Sequence, residues 1–328
     1  MKIGKNERSV RVYDGYGYTD NFFISGHVLL RNKTATRHYS NNPFLNAIHM
    51  LRMFSVKPVA NVRVQLIWKN YNLYAKTGND GFFLFEWQSI AKVASGWHDV
   101  KVNVLDEKES IQIRGEGRIY VPHSTQYAFI SDIDDTVLVS HSAYLLKKLK
   151  TLLTKNPYSR KVFDDAVEHY RLLSLSHTDG YITNPFFYIS SSEWNLYDDL
   201  KHFFAINKLP KGIFLLNNLT SWHRLLNKRK AKHDAKMIWI LRILNDFANQ
   251  KFVLLGDNSQ KDPMIYAAIV KKHPKRIIAV YIRNINPVKE LLTMDLLSEI
   301  ENHGIDTCFF KENSEAILHS KKIGLINI

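Results

Sequence analysis

From Tyr127 onward the chain alternates short apolar runs with longer amphipathic segments, and this alternation constrains its fold more than any other feature. Runs of strand length occur at Ala128 to Ile130, Phe186 to Ile189, Ile213 to Leu216, Phe252 to Leu255 and Ile277 to Tyr281. Helical spacing fits Tyr144 to Leu153, Val162 to Ser174, Trp194 to Asn207, Lys236 to Phe247 and Pro263 to Lys272. Strands separated by helices predict a parallel α/β sheet. Right-handed crossovers would gather the carboxyl ends of its strands on one edge, where such sheets bind ligands.

Residues before about Tyr120 have a different texture. Phe22 to Leu30, Val62 to Trp68, Gly81 to Trp87, Val100 to Val104 and Gly117 to Val121 are β-branched or aromatic runs, and Asn79-Asp80-Gly81 is a turn signal between two of them. The pattern predicts a small all-β, sandwich-like domain over residues 1–122, followed by the α/β domain over residues 123–328. Tyr13-Asp14-Gly15-Tyr16-Gly17-Tyr18 reads as packing and turn at the surface rather than as a ligand loop.

A chain of 328 residues with 45% apolar content has ample material for two cores. Its single cysteine, Cys308, forms no internal disulfide, and no Cys/His spacing resembles a zinc site. A reducing compartment fits. The amino terminus lacks the apolar run of a signal peptide and no stretch has the length of a membrane span, so the expectation is a soluble, cytoplasmic protein, with peripheral membrane contact. The formal charge of +14 favours an anionic partner. The densest basic cluster, Lys228-Arg229-Lys230 with Lys232, has no ladder of aromatics for base stacking, and no nucleic acid is expected.

The chemistry concentrates where the apolar runs end. Phe129-Ile130-Ser131-Asp132-Ile133-Asp134-Asp135-Thr136 leaves Asp132 and Asp134 on the same side of extended backbone, where two hard carboxylates can share one Mg²⁺. Asp132 is then a candidate covalent nucleophile, and Asp134 a candidate acid that protonates a leaving oxygen and later activates water. The plainer reading is an acidic turn that caps a helix or holds a structural cation. Phe186 to Ile189 runs into Ser190-Ser191-Ser192, hydroxyls and amides suited to a phosphoryl oxygen, with Ser192 the candidate cap of the following helix. Phe252 to Leu255 runs into Gly256-Asp257 and on to Asp262-Pro263. Asp257 is a carboxylate at the end of an apolar strand that needs a partner, whereas Asp262 reads equally as a helix cap. Lys236 opens the intervening helix and could neutralise an attacking aspartate and a phosphoryl group, and Lys232 lies one helical turn away.

In this order, D-x-D-x-T, strand-Ser, Lys and G-D-x-x-x-x-D, the chain resembles the haloacid dehalogenase superfamily of aspartate-nucleophile phosphatases. The segments Asp132 to Val137, Tyr188 to Tyr197 and Leu255 to Pro263 resemble more closely the catalytic domain of actin-patch-protein-type phosphatidate phosphatases, relatives of the lipins. The likeness covers about Tyr127 to Ile328, including Asn156-Pro157-Tyr158-Ser159-Arg160 with Phe163 and Tyr170. It implies a Rossmann-like hydrolase domain and Mg²⁺-dependent hydrolysis of phosphatidate to diacylglycerol and phosphate through an aspartyl-phosphate. Asp132 would be nucleophile and metal ligand, and Asp134 acid/base and metal ligand. Ser190 and Lys236 would hold the phosphoryl group, with Thr136 and Ser191 as further phosphate contacts. Asp257 would complete the metal shell and Asp262 would stand behind it. Glu193 replaces a proline common in relatives, and Asn217-Asn218 replace an Arg-Asp pair, departures that bear on the substrate.

The rivals are a phosphatase for a soluble phosphomonoester or phosphoprotein, a non-catalytic lipid-binding module on the same fold, and a receiver domain. The last needs a phosphoacceptor aspartate on a central strand, and the order of motifs suits it poorly. An insert over Val139 to Asn184 is expected to cover part of the site, with Tyr144, Leu145, Leu149 and Leu152 resting on an anionic membrane.

Overall fold

The computed structural model describes residues 7–18, 20–31, 56–123, 127–133, 166–178, 180, 182–217 and 235–326. These fall into two compact units, residues 7–122 and residues 123–326. Asp134, Thr136, Lys232, the basic cluster from Lys228, the expected helix over Tyr144 to Leu153 and most of the insert lie outside the described residues.

The first unit is all-β. Its strands are β1 (Glu7–Val12), β2 (Gly15–Tyr18), β3 (Asn21–Arg31), β4 (Lys57–Pro58), β5 (Arg63–Trp68), β6 (Tyr71–Lys76), β7 (Phe82–Gln88), β8 (Gly96–Leu105) and β9 (Ile111–Val121). They pair in one continuous order, β1-β3-β2-β9-β8-β5-β6, with β4 and β7 also on β3. β3 is the hub: β1 and β2 share one of its edges while β7 and β4 share the other. The expected sandwich of two sheets is thus a single hydrogen-bonded sheet curled over one core. Ile24 and Val28 of β3 pack there in one cluster with Val64 and Leu66 of β5 and Val102 and Val104 of β8. Gly81 turns the chain into β7 at φ 73°, a conformation that glycine adopts without a Cβ clash. The Tyr13 to Tyr18 segment is not a surface turn. Tyr16 is buried at the centre of β2 and stacks on Phe23, so the tyrosines pack inward.

The second unit is mixed α/β. Its elements are β10 (Ala128–Asp132), α1 (Ala166–Ser174), β11 (Phe186–Glu193), α2 (Tyr197–Ile206), β12 (Ile213–Asn217), α3 (Ala235–Asp246), β13 (Phe252–Asp257), α4 (Asp262–Lys272), β14 (Ile277–Arg283), α5 (Glu290–Glu301), β15 (Asp306–Phe310) and α6 (Asn313–Lys322). The six strands form one parallel sheet in the order β12-β11-β10-β13-β14-β15. β10 and β13 are buried along their whole length, which is why both read as unbroken apolar runs rather than as alternating patterns. Winding proceeds one way from β10 to β12 and the other way from β13 to β15. The reversal falls between β10 and β13, and crevices at such points receive ligands beyond the carboxyl ends of the strands.

Candidate active site

Asp132 and Asp257 are the last residues of the two strands that flank the reversal point. Ser131 pairs with Leu255 across them, so Asp132 is level with Gly256 and Asp257 lies one residue further along the same carboxyl edge. Both are buried, Asp132 at 1% and Asp257 at 0% exposure. Asp262, also fully buried, opens α4. Lys261, not Asp262, holds the cap position of that helix, and the Asp262 side chain turns inward instead. Gly256 makes this possible, because a Cβ there would lie 2.6 Å from Asp262 Oδ2 and 2.8 Å from its Cβ.

Lys236, the second residue of α3, reaches into the same space. Its Nζ donates to Asp132 Oδ1 at 2.7 Å and also to Asp262 Oδ1. Burial alone would lower the pKa of this ammonium. The charges of Asp132 and then Asp262 outweigh that effect, and the group is held above the ordinary lysine value. The pKa of Asp257 is raised as well: burial, then the negative charge of Asp262, push it well above the usual carboxylate range, against the pull of the Ser259 amide that donates to its Oδ1.

Asp132, Asp257 and Asp262 each offer a carboxylate oxygen, and these oxygens lie within 4.8 Å of one another. One ammonium cannot neutralise three carboxylates packed so closely. The donor set is all hard oxygen and carries an excess of negative charge, which suits a divalent cation such as Mg²⁺.

Ser190 lies near the end of β11, one residue beyond Ile189, the partner of Asp132 in the register, so it belongs to the same edge. It is buried, and its Oγ accepts from the Ser192 amide at 2.9 Å. Ser192 caps no helix: the following 3-10 turn begins after Glu193, and α2 after Leu196, both without a side-chain cap bond. The side chain of Ser191 lies outside the described residues, and Glu193 is exposed.

Several supporting residues were given no such role by the sequence alone. Ser131 Oγ donates to the Asp132 carbonyl at 2.6 Å and accepts from the fully buried Tyr170 hydroxyl of α1 at 2.7 Å. Asn258, also fully buried, clamps the loop after β13 to the segment after β14. Its Nδ2 donates to Asn284 Oδ1 and the Asn286 carbonyl, while its Oδ1 accepts from the amides of Ile285 and Asn286. Lys289 Nζ donates to the carbonyls of Ser259 at 2.6 Å and Gln260 at 3.1 Å, inside the loop that joins Asp257 to Asp262. The partners of Asn258 and Lys289 are distant in sequence and become neighbours only once β13 and β14 pair, and Tyr170 reaches Ser131 from α1.

Residues 127–284 match the family model described as phosphatidate phosphatase APP1, catalytic domain. An uncharacterized protein of Schizosaccharomyces pombe is 25% identical over 160 residues, which is 48% of this chain and 25% of that protein. Phosphatidate phosphatase APP1 of Saccharomyces cerevisiae is 33% identical over 98 residues, 30% of this chain and 16% of that enzyme. The chain thus spans a quarter or less of the length of these relatives. A carbohydrate acetylesterase from Xanthomonas citri aligns over 94% of this chain and 73% of its own, at 8% identity and a TM-score of 0.34, too low to bear on the fold.

Proposed function

Residues 127–284 belong to the family of the APP1-type phosphatidate phosphatase catalytic domain, and from that premise we propose that the chain is a Mg²⁺-dependent phosphatase of phosphatidate, built on a haloacid-dehalogenase-type domain. The observation that carries the reading is the buried cluster of Asp132, Asp257 and Asp262 around Lys236 at the carboxyl edge of the sheet.

The roles follow from the chemistry of each group. Asp132 attacks phosphorus through a carboxylate oxygen, forming an acyl-phosphate bond as the bond from phosphorus to the glycerol oxygen breaks. Asp134 gives a proton to that oxygen, releasing diacylglycerol, and then takes one from the water that attacks the acyl-phosphate and frees inorganic phosphate. Lys236 stands against Asp132 and balances charge that builds on the phosphoryl oxygens, and Ser190, Ser191 and Thr136 supply hydroxyls and amides for the same oxygens. Asp132, Asp134 and Asp257 would hold Mg²⁺, with Asp262 orienting Lys236 and the loop. The ion, when bound, offsets the negative charge shared by phosphate and carboxylates.

Phosphate release by the purified protein, with phosphatidate in mixed micelles compared with a soluble aryl phosphate and Asp132→Asn as control, tests this reading. Turnover of phosphatidate that requires Mg²⁺ and vanishes in the variant is expected. Activity on the aryl phosphate alone would assign the site to a soluble phosphomonoester, and activity on neither substrate would favour a lipid-binding module.

A further inference from the structure

Beside the carboxylate cluster, the α/β unit exposes a group of large apolar side chains at the same edge of the sheet. Val288, Leu291 and Leu292 are 93%, 79% and 54% exposed. Their spacing of three and four residues, through the turn that enters α5, puts them on one helical face. Lys289, within this stripe's own sequence, bonds the two carbonyls of the loop that carries Asp257 and Asp262. Met264, 56% exposed, stands two residues beyond Asp262 in the first turn of α4, and α4 packs against α5. The stripe is therefore part of the rim of the candidate site. Apolar side chains grouped this way on a surface mark a contact with something else.

We propose that Val288, Leu291 and Leu292, with Met264, form the surface on which this protein seats in a phospholipid bilayer, their side chains entering the boundary between headgroups and acyl chains. The inference rests on the phosphatidate reading and adds to it the face that meets the lipid. Phosphatidate carries its phosphate directly on the glycerol backbone, with no spacer. A carboxylate buried as deeply as Asp132 meets that phosphate only if the rim of the site lies flush with the membrane. Among the described residues, these two helix starts are part of the rim, and they carry the apolar side chains that such seating needs. The charge of +14 suits a membrane containing an anionic lipid. Glu290 and Asp295 flank the stripe itself, so apolar insertion rather than local charge supplies the local hold.

The test is co-sedimentation with phosphatidylcholine vesicles, with and without phosphatidate, for the wild type, for a Leu291→Ser/Leu292→Ser double variant, and for Leu318→Ser as a control on the exposed face of α6. Phosphate release from vesicle phosphatidate and from a soluble aryl phosphate is measured alongside, with thermal melting as a check on folding. The double variant is expected to lose about tenfold or more of its vesicle partition, the scale set by two leucines that no longer leave water. It should lose vesicle turnover in step while keeping its melting temperature and its activity on the soluble substrate, and Leu318→Ser should match the wild type. Unchanged partition in the double variant overturns the proposal. So does equal loss in the control, or conversion of a wild-type dimer to a monomer with partition intact, which would make the stripe a contact between copies. A wild type that partitions through the stripe yet releases no phosphate from phosphatidate would end the phosphatidate reading and leave the docking surface standing.

Discussion

At the scale of single residues, Lys236 is the contact on which the cluster depends. Replacing it with methionine leaves Asp132 and Asp262 buried together without their cation, which costs about 3 kcal/mol or more in a denaturant titration. The same change is expected to lower kcat by about 100-fold, because the charge that builds on phosphoryl oxygens loses its nearest positive group. A variant with near-normal kcat would remove lysine from the mechanism. Gly256 is a second point of dependence. Its φ is unremarkable, and the constraint is proximity: alanine would drive its methyl into the Asp262 side chain. Gly256→Ala is expected to lose about 1–3 kcal/mol and to raise the Mg²⁺ concentration that half-saturates turnover, since Asp262 must move. A wild-type melting curve and Mg²⁺ titration for this variant would contradict that account.

At the scale of elements, the candidate ligand loop is held by the segment after β14 as well as by bonds within its own sequence. Lys289→Met removes two bonds to the loop carbonyls of Ser259 and Gln260 without touching a carboxylate. The expected result is a rise of about tenfold in half-saturating Mg²⁺, the usual size of an effect transmitted through groups behind a metal ligand, with phosphate release as the readout. An unchanged Mg²⁺ titration would show that the loop is rigid without Lys289. This dependence also explains what the sequence did and did not disclose. β10, β11, β12, β13 and β14 stood out because burial on both faces writes an uninterrupted apolar run. β15 (Asp306–Phe310) did not, since its exposed and half-buried positions interrupt the run, nor did α5, whose exposed Leu291 and Leu292 blur the apolar period. β1, β2 and β4 were passed over because they are rich in charge, built around glycine or short, and β6 because its alternating half-buried and exposed positions write no apolar run. Asp132, Asp257 and Lys236 were visible as polar residues where apolar runs begin or end. Tyr170, Asn258 and Lys289 were not assigned these supporting roles, because each acts through a partner that only the sheet order brings near.

At the scale of the whole molecule, the two units share an acid sensitivity. His27 in the all-β unit is buried against the Tyr13 hydroxyl, and His169 in the α/β unit is buried against Ser320 Oγ. Burial is the main cause that lowers each from 6.5 to about 3. Asp80 opposes it at His27 and Arg283 adds to it at His169. The folded pKa lies below the unfolded value, so between pH 6.5 and 3 the unfolded chain binds protons that the folded chain does not. The stability that these two histidines contribute is therefore full above pH 6.5 and falls as the pH drops, by about 1.4 kcal/mol per unit for each, more than the single raised carboxyl of Asp257 returns. Urea midpoints at pH 7 and pH 5 should show this fall, and a midpoint that holds or rises on acidification would contradict it. No helix among the described residues is long and apolar enough to cross a membrane, and the proposed lipid reading rests on the carboxylate cluster at the edge of the sheet. The most direct test of that reading is to quench the protein in acid during turnover of phosphatidate with Mg²⁺, reduce with borohydride, and map the product by mass spectrometry. An acyl-phosphate on Asp132 predicts homoserine at position 132, absent when Mg²⁺ is chelated. Steady phosphate release with Asp132 unmodified, or with the adduct on another residue, would contradict the account.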